Sequence, residues 1–487
     1  MNGFDWIILG GFFVMMIIIG IISYFRTDDS ADFFLAGGRL PCWLLGISHH
    51  VSGYSGAVFV AYAALAYTHG FSIYSWWAFT VGAATIFGAF FIPKLWVQLR
   101  QKEQIQSPLE YLVRRYNLPT QQIMAWSGVL LKLFDMAAKW AAMAVILNVF
   151  TGLSFIYGII LTGGVSLIYI TMGGYLAVVV TDFIQFIIQL IAGISMFVIV
   201  ILKLGGISAL GTMWDQLPEG NAQVFNSPYT FWFALVFLII NFFSYNGGTW
   251  NLATRFISAR NEKEAKKVSL LSGALYLIWP LVLFVPMWAA PIIFPGLEDP
   301  EKVYGLLTME LLPHGLIGLV LASLFANTMS MTSSDANTIA AVINRDILPR
   351  LSVKFRAPDR QAALRYARIS TFSFITGTII LAMFADSFGG VLGLLINWFA
   401  AFVGVISVPM ILGLLPFFKG INSYGAILSM LFGTITFVLG KILITEDAVM
   451  TTSFLRAFEI GSPVIVSFIV FATNGIIIHF RKKYHHD

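Results

Sequence analysis

The stretch His49-His50-Val51-Ser52-Gly53-Tyr54-Ser55-Gly56 decides how the chain folds. It interrupts an apolar segment running from about Trp43 to Tyr67, long enough to cross a bilayer, which takes about 20 residues. Glycine in a helix interior costs about 1 kcal/mol relative to alanine, so the backbone ladder is expected to open there. Opened backbone at membrane depth persists only where protein or a water-filled cavity surrounds it. The stretch therefore reads as a broken helix lining a binding site. A second interruption, Ser244-Tyr245-Asn246-Gly247-Gly248, ends the apolar run that starts near Phe231. Either cluster alone reads better as a close contact between helices. Two in corresponding positions of two halves are the pointer to a secondary-transporter site.

Composition agrees. Of 487 residues, 58% are hydrophobic and only 11% charged, against about 25% charged in soluble domains. The expected class is an all-α integral membrane protein. A single cysteine, Cys42, excludes an internal disulfide and a cysteine-based metal cluster. The first apolar run reads as a retained span, with no basic residue before it and no cleavage site after it. No H-E-x-x-H, phosphate-loop or nucleophile-elbow pattern occurs, so neither an enzyme nor an ATP-driven pump is expected.

Apolar runs predict about thirteen spans: 4–24, 43–68, 71–97, 119–150, 153–172, 176–204, 229–250, 268–295, 314–345, 364–385, 389–416, 423–444 and 459–480. Lysines and arginines crowd alternate junctions, including Arg255, Arg260, Lys263, Lys266 and Lys267 in one and Arg345 to Arg368 in another. That alternation places the N-terminus outside and the C-terminus inside, and it accounts for the +5 net charge without nucleic acid. The predicted organisation is an extra helix and loop (1–42), a five-helix repeat (43–204), an external loop (205–228), an inverted five-helix repeat (229–417) and two further helices with a tail (418–487). Ser107-Pro-Leu-Glu110 reads as a capped helix start.

Ionisable and polar groups at membrane depth are candidates for function. Asp182 stands beyond the apolar Ala177–Val180, and Ser330, Ser333 and Ser334 share one face of the ninth span, with Asn327, Asp335 and Asn337 nearby. These hard oxygens suit a small hard cation, or equally serve as interhelical hydrogen bonders. Lys132, Asp135 and Lys139 share a face of the fourth span, read as one ion pair plus a lysine reaching for the interface, or else as a substrate-facing charge. His49 and His50 read as hydrogen bonders rather than a proton relay. Tyr74, Trp76, Trp77, Asn397 and Trp398 are further pocket candidates, and Pro280, Pro286, Pro291 and Pro295 are expected to kink the eighth span.

These residues resemble the sodium:solute symporters, which share the leucine-transporter fold. The likeness rests on Asp32-Phe33-Phe34-Leu35-Ala36-Gly37-Gly38-Arg39 with Pro41, on Glu110-Tyr111-Leu112 with Arg115, on Met172-Gly173-Gly174 with Thr181-Asp182 and Gln185, and on Ser333-Ser334, Asn337, Asn344 and Asp346. The resemblance implies sodium as coupling ion. It assigns one sodium site to carbonyls of Val51, Tyr54 and Asn327 with Ser330 and position 331, where Met331 departs from the family's hydroxyl and Thr332 could substitute only after a backbone shift. A second site would use Asp182, Ser330, Ser333 and Ser334. The implied solute pocket comprises Ser52, Gly53, Ser55, Trp77, Asn241, Tyr245 and Asn246, with Tyr245 as an inner gate. Relatives that bind sialic acid use an arginine where this chain has Asp135, which speaks against a simple copy of that carboxylate clamp; a hydroxyl-rich, sugar-like solute is preferred because hydrogen bonders and aromatics dominate the implied pocket. The implied activity is sodium-coupled uptake of a small organic solute in the cell (inner) membrane. Proton-coupled or uncoupled facilitation on the same fold, or a channel, are the alternatives.

Overall fold

A computed structural model of the chain describes residues 1–25, 29–356, 358–385, 403–444 and 453–484. The described residues are almost entirely helical. The main helices are α1 (Gly3–Phe25), α2 (Cys42–Val51), α3 (Ala61–His69), α4 (Phe79–Gly88), α5 (Leu118–Thr151), α6 (Phe155–Lys203), α7 (Phe231–Phe243), α8 (Asn251–Ile257), α9 (Glu262–Ile293), α10 (Leu316–Val342), α11 (Arg360–Ala382), α12 (Ser423–Leu443) and α13 (Ser453–Tyr484). Among the described residues, seven helical stretches are individually long and apolar enough to cross a membrane, or nine if each of two bent pairs counts as one span. The expected count of thirteen is higher for particular reasons. The 43–68 segment is split into α2 and α3, the predicted 119–150 and 153–172 spans count together as one bent pair, Arg360–Ala382 is not among the stretches apolar enough to be counted, and part of the predicted 389–416 span, with Asn397 and Trp398, lies outside the described residues.

Local chemistry sets the helix ends. Asn117 caps α5 by accepting from the Thr120 N–H at 2.9 Å, and Gly152 ends it in the left-handed region (φ 72°), where glycine has no steric penalty. Gly174, also left-handed (φ 61°), divides α6 between the two spans predicted there. A Cβ at Gly174 would sit 3.1 Å from the Phe33 ring, so the loop before the first repeat packs on that kink. Helix α9 runs unbroken through Pro280, Pro286 and Pro291, while Pro295 lies beyond its end. At the Ser107–Glu110 start, Glu110 accepts from the N–H groups of Gln106 and Ser107 and the Ser107 hydroxyl accepts from Leu109. The helix that follows is only Leu112–Arg115.

Helix α10 is the centre of the bundle. Nearly every residue of it is buried, including Asn327, Ser330, Ser333, Ser334 and Asp335. A helix buried all round must find partners for each polar side chain, and those partners define the site.

Candidate functional site

Both expected breaks are present, and each is bonded to the other. Helix α2 stops at Val51, and the chain is irregular from Ser52 to Ser55 before the short turn Gly56–Phe59 and then α3. Helix α7 gives way at Ser244–Gly248, where Gly247 adopts φ 114°. Breaking a helix frees carbonyls that need donors. At the first break they come from the second half of the chain: Tyr276 Oη donates to His50 O (2.7 Å), Tyr245 Oη to Gly53 O (2.8 Å) and Asn251 Nδ2 to Ser52 O (3.1 Å). In return, His49 Nε2 lies 3.1 Å from Tyr245 O, while its Nδ1 meets Ser272 Oγ at 2.7 Å. Trp96 Nε1 donates to Asn246 O and Ser407 Oγ to Gly248 O, both at 3.1 Å. Gly53 is required, because a Cβ there would lie 2.0 Å from Tyr276 Oη and 2.8 Å from the Tyr245 ring. His50 differs from its neighbour: both ring nitrogens are buried without a hydrogen-bond partner, and the ring packs among Tyr54, Phe186 and Tyr276.

Beside the first break, Asp182 of α6 gathers hydroxyls. Ser330 donates to its Oδ1 at 2.5 Å, Ser48 donates to its Oδ2, and Ser52 lies 3.2 Å from Oδ2. Ser52 also approaches Ser330 (3.1 Å) and Ser334 (3.0 Å). Ser333 stands apart, its hydroxyl returning to Ser330 O on its own helix. Into this oxygen cluster projects Arg255 of α8, fully buried. Its Nη2 donates toward Ser52 (2.7 Å), Asp182 (3.2 Å) and Ser334, its Nε toward Ser48 (3.1 Å), and its Nη1 toward Asn251 O (2.9 Å). Sequence reasoning counted Arg255 with the junction charges and passed over Ser48. The signal available was the distance from the second break: Arg255 stands seven residues beyond Gly248, one turn into the short helix Asn251–Ile257.

The neighbouring face of α10, one residue round the helix, carries a second charge cluster. Lys132 Nζ lies 3.1 Å from Asp135 Oδ2 and 2.7 Å from Asp335 Oδ1, while Lys139 Nζ lies 2.9 Å from Asp135 Oδ2 and 2.5 Å from Asp335 Oδ2. All four are buried. Neither lysine reaches for the interface, because Asp335 supplies the second carboxylate that the face of α5 lacks. Asp135 Oδ1 has no hydrogen-bond partner.

Beside the lysine–aspartate cluster and the first break lies a cavity of about 30 Å³, lined among others by Gly53, Ser55, Trp77, Asp135, Lys139, Tyr245 and Met331. That admits a water or two, far less than the roughly 300 Å³ of an ordinary ligand pocket. Of the predicted solute residues, Gly53, Ser55, Trp77 and Tyr245 line the cavity. Ser52 is turned into the Asp182 cluster. Asn241 Nδ2 bonds Thr80 Oγ1 (2.9 Å) and Asn246 Nδ2 bonds Phe242 O (2.8 Å), both away from the cavity lining. At the other predicted sodium site, Val51 and Tyr54 flank the first break, Asn327 is one turn before Ser330 with its side-chain amide buried and unpartnered, and Met331 faces the cavity. Among the described residues no group of three His, Cys, Asp or Glu side chains suits a metal ion. Oxygen of hydroxyl, carboxylate and carbonyl type is the local chemistry, which fits a hard monovalent ion.

The sodium/sialic acid symporter SiaT of Proteus mirabilis is 27% identical over 378 residues, 73% of each chain. The sodium/glucose cotransporter of Vibrio parahaemolyticus is 25% identical over 456 residues, covering 85% of this chain and 80% of that one. Among solved structures, a sodium-coupled sialic acid symporter in a substrate-bound outward-open state superposes with a TM-score of 0.80 at 21% identity, covering 98% of both chains. Mhp1, a nucleobase-cation-symport-1 family transporter in a closed conformation, gives 0.57 at 13% identity, covering 93% of this chain and 95% of that one. These superpositions show the fold: the helical transporter architecture with two discontinuous helices expected from the sequence. A profile of the sodium:solute symporter family matches residues 33–433, a range that holds both breaks and both charge clusters, and the chain therefore belongs to the sodium:solute symporter family.

Proposed function

We propose that this symporter carries a small, uncharged, hydroxyl-bearing solute inward with sodium, in a bacterial inner membrane with the N-terminus outside. The carrying observation is the unpartnered Asp135 Oδ1 at the wall of a cavity whose other lining includes its ion-pair partner Lys139, aromatic rings, Ser55, the Gly53 backbone and Met331. A buried acceptor without a donor calls for one from the ligand, and a neutral donor leaves the balanced lysine–aspartate cluster undisturbed. The halves 43–204 and 229–417 act as the two moving bodies. Opening the cavity requires the Tyr245 Oη to Gly53 O bond across the two breaks to part, which makes Tyr245 the gate. Sodium takes the hydroxyls and carboxylate around Asp182, and since Arg255 holds the same oxygens, ion and guanidinium occupy them in turn. Alternation of Lys and Arg between junctions supports the orientation.

The test is a thermal-shift screen of neutral polyols and sugars, zwitterions and carboxylates, each with and without sodium, followed by uptake into proteoliposomes. A neutral polyol should raise the apparent Tm more in sodium than in choline medium, since ligand binding stabilises by mass action, and should accumulate against its gradient. Stabilisation by carboxylates alone would overturn the solute class.

A further inference from the structure

We infer that the arginine-rich edge of the molecule holds an anionic phospholipid, in cavities that share no lining residue with the transport cavity. A cavity of about 330 Å³ lies between the end of α10 and the start of α11, and Arg345, Arg350 and Arg356 line it. A second cavity of about 590 Å³ adjoins it and shares Leu348, Phe355 and Tyr366 as a common wall. Its remaining lining is almost wholly apolar, including Val129, Leu133, Ile369 and Phe374, and it runs along α5 and α11 in the direction of the bilayer. A charged compartment opening into an apolar groove at the membrane edge has the two-part chemistry of a phospholipid. Basic pockets at such an edge hold lipid phosphates, and the groove takes an acyl chain.

Charge bookkeeping favours an anion. Glu110 is already engaged by Arg345 at 3.2 Å, Asp346 is turned inward to Ser107 and Gln121, and Asp359 caps α11 through the Ala362 N–H. Among the described residues no ion pair is seen for Arg350 or Arg356; Arg356 Nε donates to Pro349 O (3.2 Å). A separate observation fits a lipid surface. Leu351 and Val353, 62% and 72% exposed, stand beside Arg350, Lys354 and Arg356, the mixed pattern of a segment lying in a membrane interface.

The experiment measures binding of dioleoylphosphatidylglycerol to the purified full chain by native mass spectrometry and by apparent Tm in neutral detergent. Dioleoylphosphatidylcholine and glycerol 3-phosphate are the controls. The expected result is that phosphatidylglycerol alone is retained and raises Tm. Arg350→Gln and Arg356→Gln, both on exposed side chains, should each weaken it roughly fivefold. Gly377→Leu, whose Cβ meets only Leu133 at 3.6 Å, should fill the groove and remove the lipid effect. Equal retention of phosphatidylcholine, or full retention by the double arginine variant, overturns the proposal. A Tm rise from glycerol 3-phosphate matching that of the lipid reduces the site to an anion pocket and overturns it as well.

Discussion

Helix α10 turns two adjacent residues toward two buried charge clusters of opposite design. Ser334 faces Asp182 and Arg255, whereas Asp335 faces Lys132, Lys139 and Asp135. The second cluster pairs two cations with two anions through four contacts of 2.5–3.1 Å, so every charge has two partners. The first has one carboxylate, one guanidinium and four serine hydroxyls, and hydroxyls can turn to donate or accept. The lysine–aspartate cluster is suited to hold α5 against α10. The hydroxyl cluster is suited to exchange one cation for another, because only Arg255 needs to leave for its oxygens to face an ion.

The largest effect is expected where the pairing is tightest. Asp335→Asn leaves two buried lysines sharing one carboxylate, and breaking a buried pair costs about 3–5 kcal/mol. Thermal unfolding in detergent should show a large drop in Tm, mostly recovered by Asp335→Asn combined with Lys132→Met. An unchanged Tm for the single variant would erase the contrast between the clusters.

At the hydroxyl cluster the expected change is in ion handling. Asp182→Asn should abolish sodium-stimulated uptake. Arg255→Gln should do the reverse to affinity, since a cation about 4 Å from a guanidinium is disfavoured by about 4 kcal/mol at an effective dielectric of about 20. Even a third of that lowers the half-saturating sodium concentration roughly tenfold. The double variant should lose the sodium response yet unfold later than Asp182→Asn alone, because no buried charge is left single. If Arg255→Gln leaves sodium affinity unchanged, the two cations do not share those oxygens.

Smaller effects sharpen the picture. Tyr276→Phe removes the side-chain donor to His50 O, which still accepts the Gly53 N–H at 3.2 Å, and should cost about 0.5–1.5 kcal/mol, read as a lower Tm with solute selectivity intact. Met331→Ser restores a hydroxyl next to Ser330 and should improve apparent sodium affinity a few-fold, roughly, as an oxygen replaces a thioether near a hard cation. Flux assays at graded sodium decide it.

Much of the fold could be read along the chain because the bilayer imposes a one-dimensional rule: spans must be apolar, and basic residues mark their ends. The two breaks could be read for a related reason. Gly53 and Gly247 stand out in apolar runs, and glycine allows both the close approach of Tyr276 and the left-handed φ of 114°. Partner choice was not legible. Lys132 and Lys139 at i and i+7 around Asp135 looked like a pair with a spare lysine until α10 brought in Asp335, 196 residues beyond Lys139. Asn241 and Asn246 sit in the second broken segment, yet the helical turn directs them to Thr80 and Phe242 rather than into the cavity.

By itself the sequence determined that this is an all-helical membrane protein with two interrupted spans and a hydroxyl-rich, carboxylate-bearing centre. Those are properties of hydropathy and backbone freedom, which each segment carries locally. Only the tertiary structure decided that Arg255 enters the Asp182 cluster and that Asp335 completes the lysine pair. A buried charge is settled by whichever opposite charge the packing brings within reach, and that distance exists only once the helices have met.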